Sequence, residues 1–250
     1  MRYFIEISFN GKNYHGWQIQ PNDPSVQEVV TNAINTILRE EVSIVGAGRT
    51  DAGVHALQIF AHFDIDSHVN ESELKQKLNA FLPDDIVIKD IFLVPDDVHA
   101  RFGAVSRSYE YRIWLGRNPF LLDTTWQIHQ QNLDIDKMNE VASMLLEYTN
   151  FKCFSKSRTD VKTYNCVITQ AKWLINGNEL TFYITADRFL RNMVRAIVGT
   201  LIDVGLGKKN KEDVIAILKS KDRSEAGFSV PAQGLFLTQV AYPNNVVKIK

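Results

Sequence analysis

The sequence predicts an α+β fold of two ferredoxin-like halves, each a βαββαβ unit, whose antiparallel sheets join into one extended sheet with helices on one face. Three observations predict it. Strands of period-two hydrophobicity alternate with helices of 3.6-residue periodicity in the order β-α-β-β-α-β. The same order returns in the second half without obvious sequence identity. The length, 250 residues with 45% apolar and 23% charged side chains, suits a globular chain of one large or two ordinary domains. The boundary is placed near residue 101, giving halves 1–101 and 102–250.

In the first half, RYFIEISF places Tyr3, Ile5, Ile7 and Phe9 on one face of a strand. A polar loop, NGKNYHGWQIQPNDP, leads to SVQEVVTNAINTILREE. There Ser25 and Glu28 have capping-box spacing, and Val26, Val29, Val30, Ala33, Ile34, Ile37 and Leu38 form an apolar stripe. VSIVGA reads as a short strand and HALQIFAHFDI as a longer one. Asn70 and Glu73 cap the helix ESELKQKLNAFL, which Pro83 closes, and IVIKDIFLV completes the half.

The second half opens on the strand VSRSYEYRIWLG, followed by the amphipathic helix DIDKMNEVASMLLEYT. TYNCVITQAKWLI and ELTFYITAD flank Asn-Gly-Asn, a hairpin signal. FLRNMVRAIVGTLIDVG reads as a helix ended by glycine, KEDVIAILKS as another, and GLFLTQVAY as the closing strand. Sheets covered on one face would expose the other, the arrangement by which RNA-binding modules of this architecture present aromatic and basic side chains.

Composition narrows the class. There is no apolar run of 18 residues and no signal-peptide pattern at the N-terminus. Two cysteines, Cys153 and Cys166, make neither a four-cysteine metal site nor a disulfide framework, so the expectation is a cytoplasmic protein with free thiols. The net charge of −1 conceals an asymmetry: residues 1–100 carry −8 and residues 101–250 carry +7. Arg101, Arg107, Arg112 and Arg117, then Lys152, Lys156, Arg158 and Lys162, then Arg188, Arg191 and Arg195 are clustered enough to form a basic face. The competing reading is that these are ordinary solvated charges.

The stretch GAGRTDAGVHA, residues 46–56, carries the chemistry. It lacks the third glycine of a dinucleotide fingerprint and is followed by a strand where a helix is required; the Gly-Lys-Ser/Thr of a phosphate loop is absent too. Asp-Ala-Gly is good turn chemistry, with Gly53 able to take positive φ. Beyond a turn, the loop would hold Asp51 between two strands, with glycines leaving room for a bulky ligand and Arg49 close enough to keep a carboxylate ionised. His55, His62 and His99 lack metal-ligand spacing and read as structural.

GRTDAGVHA resembles the active-site signature of the tRNA pseudouridine synthase A family. NYHGWQ, VHARFGAVSRSYEYRI, FLRNMVRAIVGTLIDVG and PAQGLFL resemble further segments of that family, and the resemblance runs from residue 2 to about 243. It implies conversion of uridine to pseudouridine at positions 38, 39 and 40 of the tRNA anticodon arm, with no cofactor and no metal. Asp51 matches the family's nucleophile, which attacks the nucleotide at the ribose C1′ or at the uracil ring. Tyr109 matches its active-site tyrosine, with Tyr111 on the same face as a competitor. Arg195 matches the basic residue that pairs with the aspartate, and Arg191 lies one turn earlier. An arginine amid Met193, Val194, Ala196 and Ile197 is costly to bury alone, which independently calls for a carboxylate partner. Leu235 matches a position lining the base pocket. Arg49, Arg101, Arg107, Lys156 and Arg158 are candidates to grip the RNA backbone. Tyr14, His15 and Trp17 are candidates for RNA contact from the first loop, and for Trp17 the alternative is to anchor that loop in the core. The resemblance further implies a homodimer holding tRNA across both subunits. Two other classes compete: a non-catalytic RNA-binding module on the same sheets, and a metal-free nucleoside or glycoside hydrolase that would release a free base or sugar.

Overall fold

Alternation along Arg2–Phe9 (β1) buries Tyr3, Ile5, Ile7 and Phe9 on one face. The strand pairs antiparallel on one side with His55–Asp64 (β3) and on the other with Ile86–Val94 (β4), so that Ile5 lies between Ala61 and Ile91. The computed structural model describes residues 1–129, 132–156, 161–243 and 246. They divide into two units, Met1–Val105 with Phe236–Lys250, and Ser106–Leu235.

In the first unit, Val26–Leu38 (α1) begins where Ser25 Oγ accepts the Glu28 N–H, a cap that contributes about 1 kcal/mol. It ends with the last residue of the apolar stripe, Leu38, where Arg39 turns left-handed at φ 58°. The strand expected over VSIVGA shrinks to Val45–Gly46 (β2), paired with Ala61 and His62 of β3. The residues before it are docked on α1 instead: Val42 N–H donates to Asn35 Oδ1, and Gln27 Nε2 donates to the Ile44 carbonyl. Glu71–Phe81 (α2), capped by Asn70, packs on β4 and against α1.

Two features depart from the expected antiparallel, one-sided sheets. The start of the closing strand runs parallel to β3, with Phe236 opposite His55 and Leu237 opposite Ala56. The second sheet face in this unit is not bare either. Tyr242 covers Phe4 and Phe60 edge-on at 5.4 Å and donates its hydroxyl to the Ala100 carbonyl. An aromatic row facing water would expose too much apolar surface without that lid.

In the second unit, Ser106–Leu115 (β5) pairs antiparallel with Glu179–Ala186 (β8), and β8 with Ile168–Asn176 (β7). Gly177 and Asn178 make the β7–β8 turn, with Gly177 at φ 58° and Asn176 paired to Glu179. A strand that the sequence did not reveal, Trp126–Ile128 (β6), lies parallel to β5. The loop 116–125 gives the chain the length to return in the same direction, which a hairpin cannot do. Ile135–Met144 (α3) locks onto β7 through Asn139, whose amide exchanges hydrogen bonds with the backbone of Trp173. Met193–Gly205 (α4) packs on α3, and Lys211–Ser220 (α5) opens with an Asn210–Asp213 capping box. α4 starts four residues later than its sequence pattern suggests, because Asn192 sits left-handed at φ 66° and cannot join the helix. Leu235–Ala241 (β9), which from Phe236 onward belongs to the first unit, is the last strand among the described residues.

The architecture of each unit is α+β, with helices on one face of an unclosed sheet in which antiparallel and parallel pairings are mixed. Cys153 and Cys166 are free and buried, and burial pushes their thiols up, Cys166 to about 11. No helix among the described residues is long and apolar enough to cross a membrane.

Candidate active site

The loop between β2 and β3 carries Arg49, Thr50 and Asp51. Glycine at 46 lets it leave the sheet under the indole of Trp17, and Gly53, at φ 75°, turns it back into β3. Arg49 is exposed, Asp51 half-buried and Thr50 buried. The turn is closed by the Val54 N–H donating to the Asp51 carbonyl at 3.1 Å. Both flanks of Asp51 are tied to the first loop. The Gly53 N–H donates to the Tyr14 carbonyl at 3.2 Å, and the Trp17 N–H reaches the Thr50 carbonyl at 3.4 Å. Gly16, at φ 97°, lies so close to the Thr50 carbonyl that a Cβ would collide with it.

Tyr14 and Trp17 therefore face inward. Trp17 is 2% exposed and packs against Phe9 at 6.3 Å, the anchoring reading of the two held open for it. Tyr14 is also buried, and its hydroxyl donates to Asp85 Oδ1 at 2.6 Å. Only His15 of that trio is exposed, with Nε2 3.5 Å from Asp23. Asp85 had no signal in the sequence; its contact with Tyr14 spans the whole first half.

Nor did Thr50 stand out. Its Oγ1 is buried with no hydrogen-bond partner among the described residues, directly before Asp51. A buried unpaired hydroxyl costs roughly 1–3 kcal/mol, which marks the position as unusual.

The three histidines serve the backbone. His55 Nδ1 accepts from the Gly11 N–H, His62 Nδ1 from Ala100, and His99 Nδ1 from Arg101 and Phe102. Burial first, then the charges of Arg2 and His99, push His62 down to about 4. Arg101 is exposed, with its guanidinium 5.6 Å above the Phe102 ring. Among the described residues no group of three or more His, Cys, Asp and Glu is placed to hold a metal ion.

In the second unit, Tyr109 and Arg107 lie on β5. Tyr109 is half-buried and meets Phe189 edge-on at 5.1 Å, whereas Tyr111 is fully buried and donates its hydroxyl to the Pro231 carbonyl at 2.8 Å. Burial pushes the Tyr111 phenol above its ordinary range. It is a core residue, which leaves Tyr109 as the tyrosine of this strand with a reachable ring. Arg107 donates to the Asp187 carbonyl at 2.9 Å. Arg195 is half-buried on the first turn of α4, and its Nε donates to the Val230 carbonyl at 2.7 Å while its own carbonyl accepts the Val230 N–H. Next to Val230 in the chain, the Ser229 hydroxyl accepts from Arg223 at 2.9 Å. Arg191 and Lys156 are exposed, with the Lys156 N–H on the Arg191 carbonyl. Leu235 is buried at the start of β9. Arg158 lies outside the described residues.

Against this geometry stand the comparisons with known proteins. The family model described as tRNA pseudouridine synthase matches residues 6–103 and 142–243. The chain is 50% identical over 249 residues to the tRNA pseudouridine synthase A of Porphyromonas gingivalis, covering 98% of each chain. It is 47% identical to that of Bacteroides thetaiotaomicron, over 98% of this chain and 92% of the relative. With that of Bacillus licheniformis it shares 36% identity, over 98% of this chain and all of the relative.

Proposed function

The chain belongs to the tRNA pseudouridine synthase family, and from that membership we propose that it isomerises uridine to pseudouridine at positions 38, 39 and 40 of the tRNA anticodon arm, with Asp51 as nucleophile. The observation that carries the assignment of Asp51 is its loop: a half-buried carboxylate whose two flanks are fixed by backbone bonds to a buried segment. A rearrangement of one nucleotide needs a single well-placed carboxylate, whereas a retaining glycosidase needs a second one about 5–5.5 Å away.

The chemistry balances without a cofactor. The C1′–N1 bond breaks, a C1′–C5 bond forms, the hydrogen on C5 leaves as a proton, and N1 takes up a proton, so the product is an isomer of the substrate. Asp51 attacks at C1′ or at the uracil ring, bonds covalently to the nucleotide and is released when the base rejoins through carbon. A base within a stem must leave the stack before this can happen. In this reading the Tyr109 ring stacks on the target uracil and its hydroxyl assists removal of the C5 proton. Arg195 is the basic partner of Asp51 in this reading, and its bond to the Val230 carbonyl supports that role by fixing the guanidinium. Leu235 lines the base pocket. Arg49, Arg101 and Arg107 bind the phosphate backbone, so affinity falls with salt. Tyr14 and Trp17 act from beneath the loop, since their burial favours support over contact with RNA.

We further propose that the halves, 1–101 with the aspartate loop and 102–250 with Tyr109 and Arg195, are each ferredoxin-like, with sheets that join. The enzyme works in the cytoplasm as a homodimer. Incubation with an unmodified tRNA transcript and carbodiimide mapping tests the function: pseudouridine at 38–40 is expected, lost in Asp51→Ala. RNA binding with no modified base supports the binding-module alternative instead, and a released base or sugar the hydrolase.

A further inference from the structure

We propose that Asp85 is a positioning residue for Asp51, acting through Tyr14; the inference rests on the reading of Asp51 as nucleophile. Asp85 lies just before β4, and three groups of the first loop converge on it. Its carboxylate accepts the Tyr14 hydroxyl at 2.6 Å and Asn13 Nδ2 at 3.0 Å, and its carbonyl accepts the Asn10 N–H at 2.9 Å. The short 3₁₀ turn Gly11–Asn13 is thereby pinned at both ends to the rim of the sheet. From there the segment reaches Asp51 by two bonds, Tyr14 carbonyl to Gly53 N–H and Trp17 N–H to Thr50 carbonyl.

The direction of the Tyr14–Asp85 bond is fixed. Burial first, then the bond to Asp85, raises the Tyr14 phenol well above its ordinary range, so it stays protonated and donates. An ionised carboxylate only accepts. A charge-assisted bond of this kind is short and strong, and the Asn13 amide, on the same carboxylate at 3.0 Å, is the second side-chain tie between this loop and Asp85. Releasing the Tyr14–Asp85 bond lets the 14–17 segment slide against the 50–53 turn. Asp51 would then move away from the reacting carbon, and a misplacement of about 1 Å can cost about 10²-fold in rate. Neither Asp85 nor the Tyr14 ring is needed to touch tRNA, so substrate affinity is spared.

The test compares Tyr14→Phe, Asp85→Ala and Asp85→Asn with the wild type in two measurements, steady-state pseudouridine formation and hydrogen exchange of peptides covering residues 48–54. Tyr14→Phe and Asp85→Ala are expected to lower kcat about ten- to a hundredfold, leave KM for tRNA unchanged, and speed exchange in 48–54 but not in β1 or β3. Asp85→Asn, which still accepts the tyrosine proton, is expected to recover most of the rate. A loop as protected in Asp85→Ala as in the wild type overturns the inference whatever the activity does. So does a rise in KM that accounts for the whole loss. A wild-type protein that forms no pseudouridine overturns the functional reading and this inference with it, an outcome distinct from the other two.

Discussion

The indole of Trp17 occupies the space that a side chain at position 46 would need: a Cβ on Gly46 would collide with Trp17 Nε1 and its ring carbons. The contact joins the floor of the first loop to the point where the aspartate loop leaves the sheet. It explains two features of the sequence at once, a tryptophan in an otherwise polar loop and a glycine at the end of an apolar run.

Gly46→Ala should therefore damage both stability and turnover. The ring cannot retreat, being 2% exposed and packed against Phe9. Overpacking of this kind costs about 1–3 kcal/mol. The expected outcome is a lower Tm and a slower rate of pseudouridine formation, whereas Gly48→Ala, where a Cβ meets nothing within 4 Å, should leave Tm close to wild type. Parallel thermal melts of the two variants check this.

Thr50 offers the opposite trade. Its buried hydroxyl finds no partner among the described residues, so the isosteric Thr50→Val removes a desolvated polar group and should stabilise the fold by about 1 kcal/mol. A position next to the nucleophile that keeps such a group is expected to use it with substrate present. Thr50→Val should raise Tm and slow turnover; a gain in Tm with undiminished turnover would assign the hydroxyl no part in the reaction.

Stability should depend on pH through His62. In the folded protein its ring stays neutral down to about 4, because it is buried and faces the charges of Arg2 and His99. In the unfolded chain it protonates near 6.5. Between those values the unfolded state binds more protons, so stability is full above pH 6.5 and falls as the pH drops toward 4, by at most about 1.4 kcal/mol per unit. His99, pushed down mainly by burial, adds a contribution of the same sign. Thermal melts from pH 7.5 to 4.5 should show a steeper fall for the wild type than for His62→Asn, and parallel curves would remove His62 as the cause.

How much was legible depended on how local the signal was. The strand of Tyr3, Ile5 and Ile7 and the caps at Ser25 and Asn70 declare themselves within a few residues, and the structure has them where the pattern puts them. VSIVGA forms a strand only at Val45–Gly46, because the residues before them bond to Asn35 and Gln27 of the preceding helix, partners invisible to alternation. α4 starts four residues after the beginning of FLRNMVRAIVG because Asn192 is left-handed, a backbone state that apolar spacing does not report. At the candidate site, Asp51, Tyr109 and Arg195 are legible through a long motif resemblance. Asp85 and Val230 could not be found that way: the first acts through a long-range contact with Tyr14, the second through a backbone carbonyl that carries no side-chain signature.

The most direct measurement is single-turnover release of tritium from tRNA labelled at C5 of uridine, since the new carbon–carbon bond must expel that hydrogen. The account predicts that Asp51→Asn binds the labelled tRNA as tightly as the wild type and releases tritium at least about 10³-fold more slowly. Release at the wild-type rate from Asp51→Asn would contradict it.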